Sequence, residues 1–114
     1  MYKSGGFHEK DWAAMEQEYD KMVSVADSIG ARLVLVHIPQ KGPWTEDSRY
    51  PAARFSAWAG KRGVEFVDIL PAMEHRAAAG ERLYYPKDGH CTPAGHAVIA
   101  EALYRHLTGR SLVP

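Results

Sequence analysis

The sequence predicts an α/β fold in which helices alternate with parallel β-strands. Two short segments, residues 32–38 and 64–70, are rich in Val, Leu, Ile and Phe, and the first of them is a continuous apolar run without alternation. That pattern is typical of strands covered by helices on both faces. Segments with apolar residues at three- and four-residue steps lie before, between and after these strands, as expected for amphipathic helices. Because the connections are short, right-handed crossovers should bring the two strands side by side in parallel.

The first predicted helix extends from about Asp11 to Ile29 and follows a flexible lead-in over residues 1–10, which contains a Gly pair. Asp11 is expected to cap the helix by accepting from a first-turn N–H, and Gly30 suits its left-handed end. The predicted inner face consists of apolar side chains at helical spacing: Trp12, Met15, Tyr19, Met22, Val23, Ala26 and Ile29. The predicted solvated face carries four carboxylates: Glu16, Glu18, Asp20 and Asp27.

The first strand is predicted over residues 32–38, and Pro39 ends it. A polar loop over residues 40–49 then leaves the carboxyl edge of the sheet, where α/β folds build their sites. Two side chains near this edge, His37 and Trp44, are therefore candidates for substrate contact, and each also fits an ordinary packing role.

Pro51 is expected to begin the second helix, which ends at Gly63 after two basic residues that suit a helix C-terminus. The second strand follows over residues 64–70. Two strands make a small sheet in which each strand keeps one unpaired edge.

A short helix is predicted over residues 71–79, followed by a loop over residues 80–87 that an apolar Leu-Tyr-Tyr-Pro run anchors. The last predicted helix covers residues 93–108, with Thr92 as its N-cap and a proline in its first turn. Residues 110–114 are expected to form a loose tail.

The composition describes one soluble globular domain: 114 residues, 46% apolar and 25% charged. Formal net charge is zero, so neither nucleic acid nor an anionic membrane is expected as the main partner. One cysteine excludes an internal disulfide. No apolar run approaches the ~20 residues of a membrane span, and the first residues lack a signal-peptide core. We expect the chain as given to be cytoplasmic, and extracytoplasmic if a further segment carries an export signal.

The segment from Asp88 to His96 carries the predicted chemistry. Asp88 stands two residues before His90, so its carboxylate can accept from the ring Nδ1 and leave Nε2 free as a proton acceptor. A neutral imidazole is suited to taking a proton from a hydroxyl and returning it to a leaving group. From spacing alone, a loop carboxylate that caps a turn beside an exposed histidine is the favoured interpretation, and the family resemblance given below reverses that order.

A metal site would use Asp88, His90, Cys91 and His96, all of which are competent zinc ligands. Their spacing is no standard zinc signature and no second ligand cluster exists in the sequence, so we expect no metal and no cofactor. Cys91 fits a small packing residue beside the helix cap.

The run Asp-Gly-His-Cys-Thr-Pro-Ala-Gly-His at residues 88–96, followed by an apolar helix, resembles the last conserved block of the SGNH (GDSL-type) hydrolase and acyltransferase superfamily. It looks most like the bacterial branch that includes polysaccharide O-acetyltransferase relatives. The resemblance implies that residues 11–109 form the C-terminal half of a flavodoxin-like three-layer α/β/α sandwich. It implies that Asp88 and His90 are catalytic members of a Ser-His-Asp triad, that His96 has a packing position more than a catalytic one, and that the substrate is an ester or acylated carbohydrate.

The superfamily's nucleophile lies in a Gly-Asp-Ser motif and an oxyanion-hole donor lies in a Gly-x-Asn-Asp-type motif, and neither motif occurs here. Ser4 follows no predicted strand, and three further serines fall inside predicted helices: Ser24, Ser28 and Ser56. We therefore expect a truncated domain with little acyl-transfer activity of its own. The alternative is a non-catalytic remnant or interaction module that self-associates through its exposed sheet edge.

Overall fold

A computed structural model of the protein describes residues 8–113. The elements of this part of the chain are α1 (Glu9–Ser28), β1 (Val34–His37), α2 (Glu46–Arg62), β2 (Glu65–Asp68), α3 (Leu70–Ala78) and α4 (Pro93–Gly109). β1 and β2 pair in parallel, which confirms the α/β class and is consistent with part of an α/β sandwich. None of the helices between residues 8 and 113 has the length and hydropathy needed to cross a bilayer.

The chain divides into two compact units. The first comprises Met1–His37 and Trp44–Phe66, and the second comprises Ile38–Pro43 and Val67–Pro114. The division falls inside β2. Residues 1–7 of the predicted lead-in, and Pro114 of the predicted tail, lie outside the described residues, whereas α1 already begins at Glu9.

In the first unit, an aromatic cluster packs α1 against α2. Trp12 is buried, and its ring lies 5.4 Å from that of Phe55 in an edge-on contact. Two turns further along α1, the Tyr19 ring contacts the Trp58 ring, with the ring centroids 5.4 Å apart. These contacts confirm the N-terminal half of the predicted inner face of α1.

The predicted solvated face of α1 is wrong for two of its four carboxylates. Glu16 accepts from the Arg54 guanidinium at 2.7 Å, and Asp20 accepts from both Trp58 Nε1 at 2.9 Å and Arg62 Nε at 2.7 Å. The three α2 residues stand four apart and so share one helix face. The hydrogen bonds from Arg62, the larger influence, and from Trp58 lower the pKa of Asp20 and keep it ionised.

Two helices begin at other residues than predicted, because other residues cap them. Asp11 is not the N-cap of α1, since it lies inside the helix and accepts from the His8 N–H at 3.0 Å. α2 begins at Glu46 rather than at Pro51, which lies inside it. Thr45 caps α2, and Thr45 and Ser48 each accept from the other's backbone N–H, so the predicted loop ends four residues earlier. Gly63, at φ 66°, ends α2 as predicted.

The strands are shorter than predicted, and all four residues of β1 are only half-buried. The prediction of a strand buried on both faces is therefore wrong for β1. At the end of β2, Asp68 accepts from the Leu70 N–H at 3.0 Å, so the carboxylate joins the strand to the start of α3.

The second unit has its core where α3, α4 and a short antiparallel pairing meet. Five side chains in it are almost fully buried: Ile69, Leu70, Met73, Leu83 and Val98. A bridge joins Tyr84 to Cys91, so residues 83–85 and 90–92 form a hairpin, which was not predicted. Tyr85 N–H donates to the His90 carbonyl at 3.0 Å, and Thr92 N–H to the Leu83 carbonyl at 2.9 Å.

Thr92 connects this hairpin to α4. As predicted, its hydroxyl caps the helix by accepting from the Gly95 N–H at 3.2 Å, and the same hydroxyl donates to the Arg82 carbonyl at 2.7 Å. Gly95 permits the close approach of α4 to the hairpin. A Cβ at that position would overlap the Leu83 carbonyl and lie 3.0 Å from the Cys91 Cβ. The helix backbone therefore rests directly on the hairpin.

We expect Gly95→Ala to lower the free energy of unfolding in urea by about 1–3 kcal/mol, because the new methyl group forces α4 away from the hairpin. Gly60→Ala is the matched control, since Gly60 also lies in a helix and a Cβ there meets nothing within 4 Å. That control should be neutral or stabilising by up to about 1 kcal/mol. Equal stability of the two variants would contradict the close approach.

Candidate active site

The loop that carries Asp88 is the tip of the hairpin, residues 86–89. Pro86 and Gly89 favour a turn here, and the backbone pairing of Tyr85 with His90 closes it. The Asp88 side chain also stabilises the turn, since its Oδ1 accepts a hydrogen bond from the His90 N–H at 2.8 Å. This side-chain-closed turn holds the His90 backbone next to the carboxylate.

The side chains of Asp88 and His90 also meet. The ring Nδ1 of His90 lies 3.3 Å from the same Oδ1 of Asp88. With Nδ1 directed at the carboxylate, Nε2 on the opposite side of the ring is left as the proton-accepting atom of a neutral imidazole. The His90 side chain is 87% exposed and that of Asp88 57% exposed, so an approaching hydroxyl can reach Nε2 from solvent.

The charge state of Asp88 suits an orienting role. The backbone N–H of His90 is the main cause that lowers the pKa of Asp88; burial, the next largest influence, raises it, and the His90 ring and, last, the Lys41 ammonium lower it further. Asp88 therefore remains ionised throughout the neutral range. An ionised carboxylate beside Nδ1 stabilises the imidazolium that forms when His90 takes up a proton.

Three hydrogen bonds tie the hairpin to the segment that follows β1. The buried Tyr84 hydroxyl donates to the Pro39 carbonyl, and the Lys41 ammonium donates to the carbonyls of Tyr85, at 2.9 Å, and Pro86. Burial raises the pKa of Tyr84 to about 12, so its hydroxyl keeps its proton. None of these three bonds was predicted. The apolar run at residues 83–86 indicated an anchor, but nothing local marks Lys41, which lies 44 residues from Tyr85.

The two candidates for substrate contact belong to the first compact unit, whereas Asp88 and His90 belong to the second. His37, the last residue of β1, is half-buried with its ring 6.5 Å from that of Phe55. Trp44 is also half-buried and precedes the Thr45 cap of α2. His37 thus has an aromatic packing contact, and the substrate role of both residues stays a prediction.

The remaining polar candidates do not join the Asp88–His90 pair. His96 is exposed in the first turn of α4, so it is not the packing residue that the resemblance implied. Half-buried Cys91 contributes its backbone to the hairpin. Within residues 8–113 no group of three or more His, Cys, Asp or Glu side chains is arranged to hold a metal ion.

The described serines lie elsewhere as well. Ser24 and Ser28 donate to backbone carbonyls of α1, and Ser48 takes part in the cap of α2. Ser56 is exposed on α2 and Ser111 is exposed after α4, and Ser4 lies outside the described residues. In the part of the chain that the structure covers, no serine is hydrogen-bonded to His90.

A family model described as "SGNH hydrolase-like domain, acetyltransferase AlgX" matches residues 6–113. No curated protein matches the sequence, and no solved structure matches it.

We expect the Asp88 carboxyl to titrate below its ordinary pKa of about 3.9 in carbon-detected NMR, and to do so in His90→Ala as well. The His90 N–H, the larger cause, survives that substitution, whereas His90→Pro removes it and should raise the pKa. Because the folded-state pKa is the lower one, the turn stabilises the fold above the unfolded-state pKa and loses that effect as the pH falls through the folded-state value. An ordinary Asp88 pKa in the unsubstituted chain would contradict the observed hydrogen bonds.

Proposed function

The chain belongs to the family of SGNH hydrolase-like domains of the acetyltransferase AlgX type, and from that premise we propose that Asp88 and His90 are the orienting acid and general base of an acyl-transfer reaction. The observation that carries the proposal is the double contact of one carboxylate oxygen with the backbone N–H and the ring Nδ1 of His90, at 2.8 and 3.3 Å. The substrate class is an ester or an acylated carbohydrate.

The proposed reaction begins with a serine hydroxyl that attacks the acyl carbonyl while Nε2 of His90 accepts its proton. Asp88 stabilises the resulting imidazolium. When the tetrahedral intermediate collapses, the ester C–O bond breaks and the imidazolium returns the proton to the departing alkoxide. A water molecule then yields hydrolysis, or a carbohydrate hydroxyl yields acyl transfer, as His90 again removes and returns one proton.

The serine in this scheme comes from a segment that is not part of the given sequence. The absence of a Gly-Asp-Ser motif supports this step, as do the backbone-bonded positions of Ser24 and Ser28 on α1. The high exposure of His90 is consistent with it too, because a base open to bulk water gains efficiency when a further segment or the substrate covers it.

We expect the 114-residue chain alone to hydrolyse p-nitrophenyl acetate no faster than its His90→Ala variant. When the chain is produced together with the flanking coding sequence that supplies the serine, His90→Ala should lower kcat by about 10²–10⁴-fold, the usual contribution of a general base. His96→Ala is the matched control, since this nearby exposed imidazole lies on α4, and it should leave kcat unchanged.

Two outcomes would contradict the proposal. Hydrolysis by the chain alone that His90→Ala abolishes would show that the nucleophile is already present. Equal losses in His90→Ala and His96→Ala would remove the special role of the residue beside Asp88.

A second candidate function, self-association, is favoured by an exposed apolar strip on α1. The strip, which we call the α1 apolar face, consists of Met22, Val25 and Ile29, and Ile29 is 73% exposed. Together with Leu33 it lines an open groove of about 450 Å³. The prediction that Met22 and Ile29 face inward is therefore wrong for the described chain. Side chains spaced three and four apart form one continuous stripe, and stripes of this kind bury themselves in antiparallel helix pairs.

A second copy of the chain fits this face because the face is self-complementary. A two-fold axis near Val25 places Met22 against Ile29 of the second copy. The same axis brings Glu18 and Arg32, which both line the groove, towards the oppositely charged residue of the other copy. With zero formal net charge, two copies do not repel each other.

We expect the purified chain to show concentration-dependent dimerisation in sedimentation equilibrium, and Val25→Glu to weaken it strongly because the axis brings the two new carboxylates together. Tyr104→Glu is the matched control, since Tyr104 is 70% exposed and lies on α4. A monomer at all concentrations, or equal weakening by both substitutions, would contradict self-association through this face.

A further inference from the structure

The loop over residues 86–89 is exposed, and one end of it is held by a side chain from another segment. The Lys41 ammonium donates to the Tyr85 carbonyl at 2.9 Å and to the Pro86 carbonyl. Tyr85 directly precedes this loop, and Pro86 is its first residue. An ammonium group has three N–H donors, so one lysine can restrain two successive carbonyls at the entrance to the loop.

A second bond fixes the segment from which Lys41 projects. Pro39, two residues earlier, accepts from the buried Tyr84 hydroxyl, and Tyr84 is also paired with Cys91 in the hairpin. The lysine therefore extends from a short segment that is bonded to the same hairpin. Restraints at Tyr84, Tyr85 and Pro86 reduce the conformations open to the loop, so less entropy is lost when Asp88 and His90 meet.

The charge of Lys41 acts in the same direction as its hydrogen bonds. Its positive charge is the weakest of the influences that lower the pKa of Asp88. Lys87, which adjoins Asp88 in the sequence, is not among those influences and forms none of the hydrogen bonds of the hairpin. The charge effect on the pKa of Asp88 therefore depends on where a lysine lies in the folded chain, which for Lys41 is over the loop entrance. It does not depend on how close the lysine is to Asp88 in the sequence.

We infer that Lys41 is a positioning residue that holds the loop at residues 86–89 in the form in which the carboxylate of Asp88 faces the ring of His90. It acts through the carbonyls of Tyr85 and Pro86. The catalytic consequence of this restraint rests on the proposed function, whereas the restraint itself is a property of the folded chain alone.

The test compares Lys41→Met with Lys87→Met, two variants that lose the same charge from the same kind of side chain. In Lys41→Met, the NMR titration midpoint of the Asp88 carboxyl should rise and the backbone order parameters of Gly89 and His90 should fall. In Lys87→Met both should match the parent chain. Lys41→Arg, which keeps the charge and the donors, should restore the Asp88 midpoint to that of the parent chain. If Lys41 only filled space, keeping its charge and donors would not restore the midpoint.

In the assembly that includes the nucleophile, Lys41→Met should lower kcat on the order of ten- to a hundredfold with KM unchanged, because it loosens a group that acts in the chemical step. Unchanged amide spectra for α3 and α4 serve as the check that the variant is folded. If Lys41→Met does not give those spectra and is therefore unfolded, Lys41→Gln replaces it in the comparison. Lys41→Gln retains two N–H donors and should raise the Asp88 midpoint without loosening the loop.

Equal Asp88 midpoints and equal order parameters in Lys41→Met and Lys87→Met would overturn the inference. If Lys41→Met shifts both NMR readouts as expected while no assembly hydrolyses ester, the restraint is upheld and the acyl-transfer proposal is what fails.

Discussion

The arrangement of this protein's candidate site depends on one carboxylate oxygen. Oδ1 of Asp88 accepts from the backbone N–H of His90 and faces the ring Nδ1 of the same residue. The backbone bond closes the turn, and the ring contact then follows from it at little further entropic cost, since the two residues are already side by side. Without the turn, two exposed side chains two residues apart would have no reason to stay together.

The surrounding elements support that turn from both sides. On one side, Thr92 caps α4 and bonds the Arg82 carbonyl, and Gly95 lets the helix backbone reach Leu83. On the other, Tyr84 and Lys41 join the hairpin to the segment after β1. An exposed pair can thus be held in place by buried or bonded neighbours, which is the usual condition for a preorganised base.

Local signals in the sequence predicted much of the fold and the pairing of Asp88 with His90. Thr92 next to a proline predicted the start of α4, and Gly63 predicted the end of α2. The Asp-x-His spacing together with the family resemblance predicted the approach of Asp88 to His90. The class of the fold followed from the apolar runs of the two strands. These features depend on neighbours within a few residues, which is why a single sequence reveals them.

The misses involve partners that lie far apart in the chain. Glu16 and Asp20 were read as solvated because nothing in α1 indicates that Arg54 and Arg62 face them from α2. Lys41 was unremarkable for the same reason, since its two acceptors lie in the hairpin. The start of α2 was missed although its signal is local, because Ser48 closes the cap where Glu or Gln is usual, and Pro51 offered a more familiar start.

The tautomer of His90 tests the central claim most directly, because it reports on the contact between its ring and Asp88 without requiring any activity. Nitrogen-15 correlation spectra of the neutral ring at high pH distinguish the two tautomers. If the Asp88 carboxylate holds Nδ1–H, His90 should show a protonated Nδ1 and a free Nε2, whereas exposed His96 should show the Nε2–H form that an unrestrained imidazole prefers. Spectra in which His90 and His96 are alike would contradict the account.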